Sequence, residues 1–233
     1  MTSVAEPIVI VGDREMAELA FEYFTYDSPH TIVAFTVEDA FLTRKSLFDR
    51  PVVPFEKVDH LYDPKSHKIF VAISYVQLNR VRTRLYQMAK AKGYSAASYI
   101  SSQALVWRNA IVGENCFILE HNIIQYGVRV GNNVTMWSAN HIGHHSVIGD
   151  NCFITGHVVV SGHCEIGENC FLGANSCVGD HVTVAKDCVI GAGAVLLKNT
   201  EPKQVYRGNP ATPSHINSVQ AFGLGDSEDG LGT

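Results

Sequence analysis

From Ile100 onward an aliphatic residue recurs at every sixth position: Val106, Val112, Ile118, Ile124, Val130, Met136, Ile142, Ile148 and Ile154. The series continues through Val160, Ile166, Leu172, Val178, Val184, Ile190 and Leu196 without an insertion. Four residues after each aliphatic comes a second column of mostly small side chains, among them Ala104, Ala110, Cys116, Cys152 and Val158. Glycine often follows the aliphatic directly, as at Gly113, Gly131, Gly143, Gly149, Gly167 and Gly179. A single hexad cannot bury its own apolar face. The period therefore predicts stacked coils, each short strand pairing with the strands above and below it. Three hexads close a triangular coil, which sets residues 18 apart on adjacent rungs at about 4.8 Å. The expected architecture of residues 100–212 is a parallel β-helix.

Residues 7–99 follow other periods. The apolar bursts at 7–11, 31–35 and 68–74 predict buried strands, and 14–24 and 76–93 have helical spacing, the latter stopped by Gly93. Strands alternating with helices predict a small parallel, Rossmann-like α/β domain. Its first strand ends at Gly12-Asp13 and leads into a helix, a usual place for a nucleotide phosphate. The stretch has one glycine, however, so the dinucleotide fingerprint is missing and a plain strand-to-helix turn is the competing reading. Residues 213–233 form a C-terminal extension whose Gly-, Asp- and Ser-rich end has the composition of disordered chain.

Composition changes this picture little. Of the 233 residues 18% are charged, which suggests that much surface is covered by neighbouring chain or a partner subunit. A net charge of −5 without a Lys/Arg cluster excludes a nucleic-acid footprint. No apolar run approaches the roughly 18 residues that span a bilayer, and the N-terminus lacks the basic region of a signal peptide. A cytoplasmic protein is expected. Cys116, Cys152, Cys164, Cys170 and Cys188 all fall in the small-residue column, and no CxxC pair occurs, so they read as packing residues and not as metal ligands.

A small α/β domain, a hexapeptide helix and a closing GNPA at 208–211 together resemble a known family. These are the bacterial hexapeptide-repeat sugar O-/N-acyltransferases of the sialic-acid O-acetyltransferase and nucleotide-aminosugar N-acetyltransferase type. The resemblance spans roughly 7–212. It implies a left-handed helix, although the general crossover rule favours the right hand. It further implies a homotrimer with active sites between subunits. Acetyl-CoA is then the co-substrate, no metal is needed, and the acceptor is an amino or hydroxyl group of a nucleotide-linked sugar in surface-polysaccharide precursor synthesis.

Acetyl transfer from a thioester needs a base for the acceptor and a donor for the oxyanion. The segment 140–150 is similar to the family's acid-His-acid stretch and, aligned on Val147-Ile148-Gly149-Asp150, places the base at His144. Gly162, one coil on, matches the family's oxyanion-binding N–H. His145 stands where the family carries Asp or Glu, so either the base is weaker or the supporting carboxylate comes from Asp150, Glu120 or a neighbouring subunit. His141 is the alternative base. His145, His163 and His181 are 18 apart and should stack as a ladder, beside His144 in the functional reading. For acetyl-CoA the candidates are Gly173, Ala174, Gly191 and Ala192, with Lys198 and Arg207 for its phosphates. For the sugar nucleotide they are Gly12, Asp13, Glu38 and Asp39. Trp107 and Trp137 take outward hexad positions suited to a subunit interface. Two rivals stay open. One is a zinc-dependent carbonic-anhydrase-like hydratase, of the kind that binds zinc through histidines from two subunits, using His121, His157 and His163, and the other is a catalytically silent scaffold or binding protein.

Overall fold

A computed structural model describes residues 5–208 together with Pro213, His215 and Ala221. Most of the C-terminal extension, and residues 209–211 of the GNPA motif, lie outside the described residues.

The N-terminal region is built from β1 (Pro7–Val11), α1 (Glu15–Tyr26), β2 (Thr31–Val37), β3 (Ser46–Leu47), β4 (Arg50–Pro54), α2 (Val58–Leu61), β5 (Lys68–Val71) and α3 (Arg80–Ala91). The strands lie in the order β3-β4-β2-β1-β5. β4, β2, β1 and β5 are parallel, and β3 pairs antiparallel with β4. The expected all-parallel sheet is thus a mixed one. The extra hairpin is edge structure, and β4, reading RPVVP, carries prolines that a central strand would not tolerate. The second predicted helix also begins later than its spacing suggests. Gln77, Leu78 and Asn79 have φ of 52°, 48° and 67°, so the chain turns there and α3 starts only at Arg80. The helix still ends where Gly93 takes φ +95°.

From Tyr99 the chain winds into three flat sheets of six, five and seven two-residue strands, counting Val205–Tyr206. From Tyr99 to Leu196 each rung pairs parallel with the rung 18 residues away, as Ile123 with His141 and Ile124 with Ile142, and Val205–Tyr206 closes the stack against Val189–Ile190 at a spacing of 16. The sheets are stacked as in a left-handed β-helix of hexapeptide repeats. The aliphatic column and the column four residues later form one continuous buried core, and the five cysteines of the second column are fully buried within it. Packing is therefore the role the structure gives them.

Two details of the hexad emerge from the backbone. At several rungs the glycine after the aliphatic is required by close approach of the next coil, while other rungs carry a side chain there, such as Trp137 and Thr155. A Cβ on Gly143 would lie 2.5 Å from the Ser161 carbonyl carbon, and one on Gly173 would lie 2.5 Å from the Ala192 nitrogen. The residue three after the aliphatic sits in the left-handed region throughout, from Asn115 (φ 54°) to Asp187 (φ 63°). Apart from Gly127 and Ala139, that slot holds Asn, Asp or His between these limits. These are the non-glycine types that tolerate this conformation best. His121, His145, His157, His163 and His181 all occupy it. The ladder thus has a backbone cause as well as any chemical one.

One sheet of the helix carries outward Tyr99, Phe117, Phe153 and Phe171, and the α/β region lies against them. Tyr99 and Phe117 join its core, and the Tyr75 ring meets Phe153 and Phe171 at 5.0 and 4.9 Å. The junction is fixed by buried polar groups. The Arg82 guanidinium is fully buried and donates to the carbonyls of Asn133 (3.2 Å), Asn151 (2.9 Å) and Cys152 (3.1 Å). Burial pushes its pKa down to about 10, so it remains a cation at neutral pH. The Asn79 side chain donates to the Asn169 and Cys170 carbonyls, both at 3.4 Å. Asn115, Asn133 and Asn151 are chained by side-chain amide bonds of 2.8 Å.

Candidate active site

The coils turn at three corners, and their chemistry differs. The corner facing the α/β region carries the asparagine chain just described. A second corner carries Glu120-His121, Ser138-Ala139, Gly156-His157 and Ala174-Asn175. The third carries Tyr126-Gly127, His144-His145, Gly162-His163 and Asp180-His181. Successive turns on each corner are joined by backbone bonds, such as the His163 N–H to the His144 carbonyl at 2.9 Å and the His181 N–H to the Gly162 carbonyl at 3.0 Å.

On the third corner the His144 ring lies over Gly162. A Cβ built on Gly162 would come within 2.8 Å of its Cε1 and 3.0 Å of its Nε2, so the ring has its place because residue 162 lacks a side chain. The His144 Nδ1 lies 3.1 Å from the Nδ1 of His145. One proton lies between them, and the tautomer in which His144 donates from Nδ1 is the one that leaves its Nε2 free as an acceptor, as a base requires. The His144 N–H donates to the Gln125 Oε1 at 2.9 Å, which fixes the turn from the coil below. His145, His163 and His181 stack with centroids 4.8 Å apart and planes within 2° of parallel. Desolvation by its neighbours, followed by the like charge of His145, His181 and His144, pushes the pKa of the exposed His163 below its ordinary value. The middle ring of the ladder therefore favours the neutral form.

Neither carboxylate expected to support His144 reaches it. Asp150 lies on the asparagine corner and accepts from the Asn132 N–H at 2.7 Å. Glu120 lies on the second corner, where it accepts from Ser138 Oγ at 2.5 Å and Tyr23 Oη at 2.9 Å. Within one chain the partner of His144 is an imidazole. A second departure concerns Gly162. Its N–H donates to Asp180 Oδ1 at 2.8 Å, so the expected oxyanion donor is already engaged. The same cap recurs elsewhere, Asn132 Oδ1 accepting from the Glu114 N–H at 3.0 Å. Asp180 was not singled out from the sequence, although counting 18 beyond Gly162 reaches it.

The alternative base, His141, is half-buried on a strand of the sheet between the second and third corners. Its outward neighbours on that sheet, Leu105, Ile123, Val159 and Val195, form an exposed apolar stripe. The acetyl-CoA candidates divide between corners. Lys198 is exposed three coils beyond His144 in the same column. Gly173, Ala174, Gly191 and Ala192 belong to the second corner, and the exposed Arg207 follows the strand paired with Val189–Ile190. Trp107 and Trp137 are both exposed. Within one chain the zinc candidates are divided, His121 and His157 standing on the second corner and His163 on the third. Among the described residues, the one metal-compatible group is instead His144, His145 and His163, whose ligand atoms lie within 4.8 Å of one another.

In the α/β region, Gly12, Asp13 and Glu38 line one cleft of about 410 Å³ together with Arg14, Gln77 and Arg84. Gly12 has φ +120°, and a Cβ there would lie 2.9 Å from the Ala72 carbonyl. Asp13 is buried, and its Oδ2 lacks a hydrogen-bond donor, with the Arg44 Nε 3.5 Å away. Arg84 grips Glu38 with two bonds of 2.6 and 2.7 Å and lowers its pKa. Asp39 opens a short exposed turn outside this cleft, its N–H donating to Glu56 at 3.0 Å. No helix among the described residues is long and apolar enough to cross a membrane.

Comparison with known proteins adds to this geometry. A family profile described as bacterial transferase hexapeptide (six repeats) matches residues 163–198. No curated protein matches the sequence. Among solved structures, a histidine-to-asparagine variant of perosamine N-acetyltransferase from Caulobacter crescentus, in complex with CoA and GDP-perosamine, is similar with a TM-score of 0.79 at 24% identity. The match covers 90% of this chain and 97% of that one. The acetyltransferase domain of PglB from Neisseria gonorrhoeae FA1090 gives 0.76 at 23% identity, over 90% of this chain and 100% of that one. The same domain in complex with acetyl coenzyme A gives 0.76 at 23%, over 91% and 100%. The resemblance read from the sequence therefore holds for the hexapeptide repeat and for a fold shared with sugar N-acetyltransferases over nine-tenths of the chain.

Proposed function

We propose that this chain transfers the acetyl group of acetyl-CoA to an amino or hydroxyl group of a nucleotide-linked sugar, with His144 as general base. The observation that carries the reading is the His144–His145 contact over Gly162. With the shared proton on His144 Nδ1, this contact leaves Nε2 free to accept a proton beside the backbone of the next coil. The fold shared with acetyltransferases bound to CoA and GDP-perosamine supports the substrate classes.

In this mechanism the acceptor's N–H or O–H gives its proton to His144 Nε2 as its lone pair attacks the thioester carbonyl carbon. The tetrahedral oxyanion takes the Gly162 N–H. Collapse breaks the C–S bond, and the proton returns from the imidazolium to the departing CoA sulfur. His145 orients the base as a hydrogen-bond acceptor but adds no negative charge. A neutral His163 keeps like charge away from the imidazolium.

The candidate residues for acetyl-CoA lie on two corners with the apolar stripe between them. A groove joining both sets requires a second copy of the chain, and burial of that stripe against it is the physical reason for a trimer with sites between subunits. Residues 7–99 would hold the nucleotide end of the acceptor in the cleft of Gly12, Asp13 and Glu38, while 100–212 carry acetyl-CoA and the chemistry. Because Glu38 is clamped by Arg84, Asp13 is the carboxylate available to a ligand there. The product is a precursor of a surface polysaccharide, made in the cytoplasm.

The test is replacement of His144 by alanine. Base catalysis is worth roughly 10²–10⁴-fold, so turnover should fall by that factor with little change in acetyl-CoA affinity. Near-normal turnover would transfer the role to His141, and His141→Ala would then show the loss.

A further inference from the structure

The Gly162 N–H cannot serve an oxyanion while it is bonded to Asp180. We propose that Asp180 is a displaceable cap on this donor, one that the thioester carbonyl of acetyl-CoA must evict, so that it sets the affinity for the acylated form of the co-substrate. The inference rests on the proposed acetyl transfer and adds a positioning residue that the family resemblance did not supply.

The geometry gives the cap its character. Asp180 Oδ1 accepts from the Gly162 N–H at 2.8 Å, within the range of a charge-assisted bond. Asp180 is exposed on the third corner, one coil beyond Gly162 and two beyond His144. An exposed carboxylate can rotate away into water at little cost, whereas a buried one could not. It is near enough to His163 for its charge to favour that ring's cation, so a displaced carboxylate has a neighbour to lean on. The equivalent cap on the asparagine corner differs. There Asp150 Oδ1 is 2.7 Å from the Asn132 N–H and half-buried, and it stands far from the histidines. The caps share a shape, but only the one at Gly162 covers an N–H beside the proposed base.

An occupied donor has an energetic consequence. A ligand carbonyl replacing Asp180 trades a charge-assisted bond for a neutral one, which opposes binding of the acyl group but not of the rest of the cofactor. Free CoA has no carbonyl at that point. The cap should therefore discriminate between acetyl-CoA and CoA.

The experiment compares acetyl-CoA and CoA affinities by calorimetry in the full chain and in Asp180→Ala and Asp180→Asn. Asp180→Ala should bind acetyl-CoA about tenfold more tightly and CoA unchanged. Asp180→Asn keeps an acceptor oxygen and should stay within about threefold of the natural chain for both. Melting temperatures are measured alongside, since a merely structural cap would lower stability without changing the acetyl-CoA to CoA ratio. An unchanged ratio in Asp180→Ala overturns the proposal, as does an equal gain for both ligands. Failure of the natural chain to bind either ligand would instead overturn the acetyl-transfer reading itself.

Discussion

Gly162→Ala tests the site without touching a group that exchanges protons. The new Cβ would meet His144 Cε1 at 2.8 Å and Nε2 at 3.0 Å. Carbon atoms rest at about 3.5 Å or more, so the ring must withdraw by roughly 0.5–0.7 Å. The backbone at 162 is not in the left-handed region, and the nearest obstruction is an exposed side chain that can swing aside. Stability should therefore change by no more than about 0.5 kcal/mol. Catalysis should suffer more. A 1 Å misplacement of a reacting group is worth about 10²-fold, so a shift of half that size predicts a loss of about tenfold in kcat. Steady-state kinetics with varied acetyl-CoA, read beside a thermal melt, separates the two effects. An unchanged kcat in a variant that melts normally would refute the placement of the base over Gly162. Gly143→Ala is the contrast, because its Cβ would strike the Ser161 carbonyl carbon at 2.5 Å and the Gly162 nitrogen at 2.7 Å. There the obstruction is backbone, and a loss of about 1–3 kcal/mol in unfolding free energy is expected.

Further outcomes follow from the same contacts. His145→Asn preserves a residue suited to φ 60° but removes the Nδ1 acceptor of His144, and should lower kcat about tenfold with a normal melt; an undiminished kcat would deny His145 an orienting role. Arg82→Met strips three buried carbonyls of their donor and should cost about 3–5 kcal/mol in chemical denaturation. A loss below about 1 kcal/mol would show that the junction does not depend on Arg82. Extensive treatment with a chelator should leave turnover unchanged, because the proposed chemistry uses no metal; loss of activity restored by zinc would turn attention to the cluster of His144, His145 and His163.

Much of this was legible in the sequence, and the reasons differ by region. The hexapeptide helix was readable because each hexad repeats one backbone solution, so a single phase fixed the core, the rung register and the burial of five cysteines. The same counting set His144 beside Gly162. The α/β region was readable only in outline. Its strands announced themselves by apolar runs, but the left-handed turn at Gln77–Asn79 interrupts a segment whose side chains still keep helical spacing. The β3–β4 hairpin is too short to have a period. The aromatic column at 99, 117, 153 and 171 was present in the sequence as the mark of a covered sheet, and its partner was the α/β region. What the period could not convey was the use of side chains between rungs. Asp180 and Gln125 act by reaching a neighbouring turn, and Asp150 and Glu120 are spent on partners of their own corners. The histidine ladder carries a general lesson: a backbone slot that accepts Asn, Asp and His will concentrate histidines whether or not chemistry needs them.

The central claim is acetyl transfer from acetyl-CoA. Its most direct measurement is thiol release from acetyl-CoA, with mass spectrometry of the acceptor, across a panel of nucleotide-linked amino sugars and free sugars. The account predicts one acetyl group gained per thiol released with at least one nucleotide-linked sugar, and loss of that reaction in His144→Ala. No thiol release across the panel, together with no binding of acetyl-CoA by calorimetry, would contradict it and leave a β-helix that binds or scaffolds without catalysis.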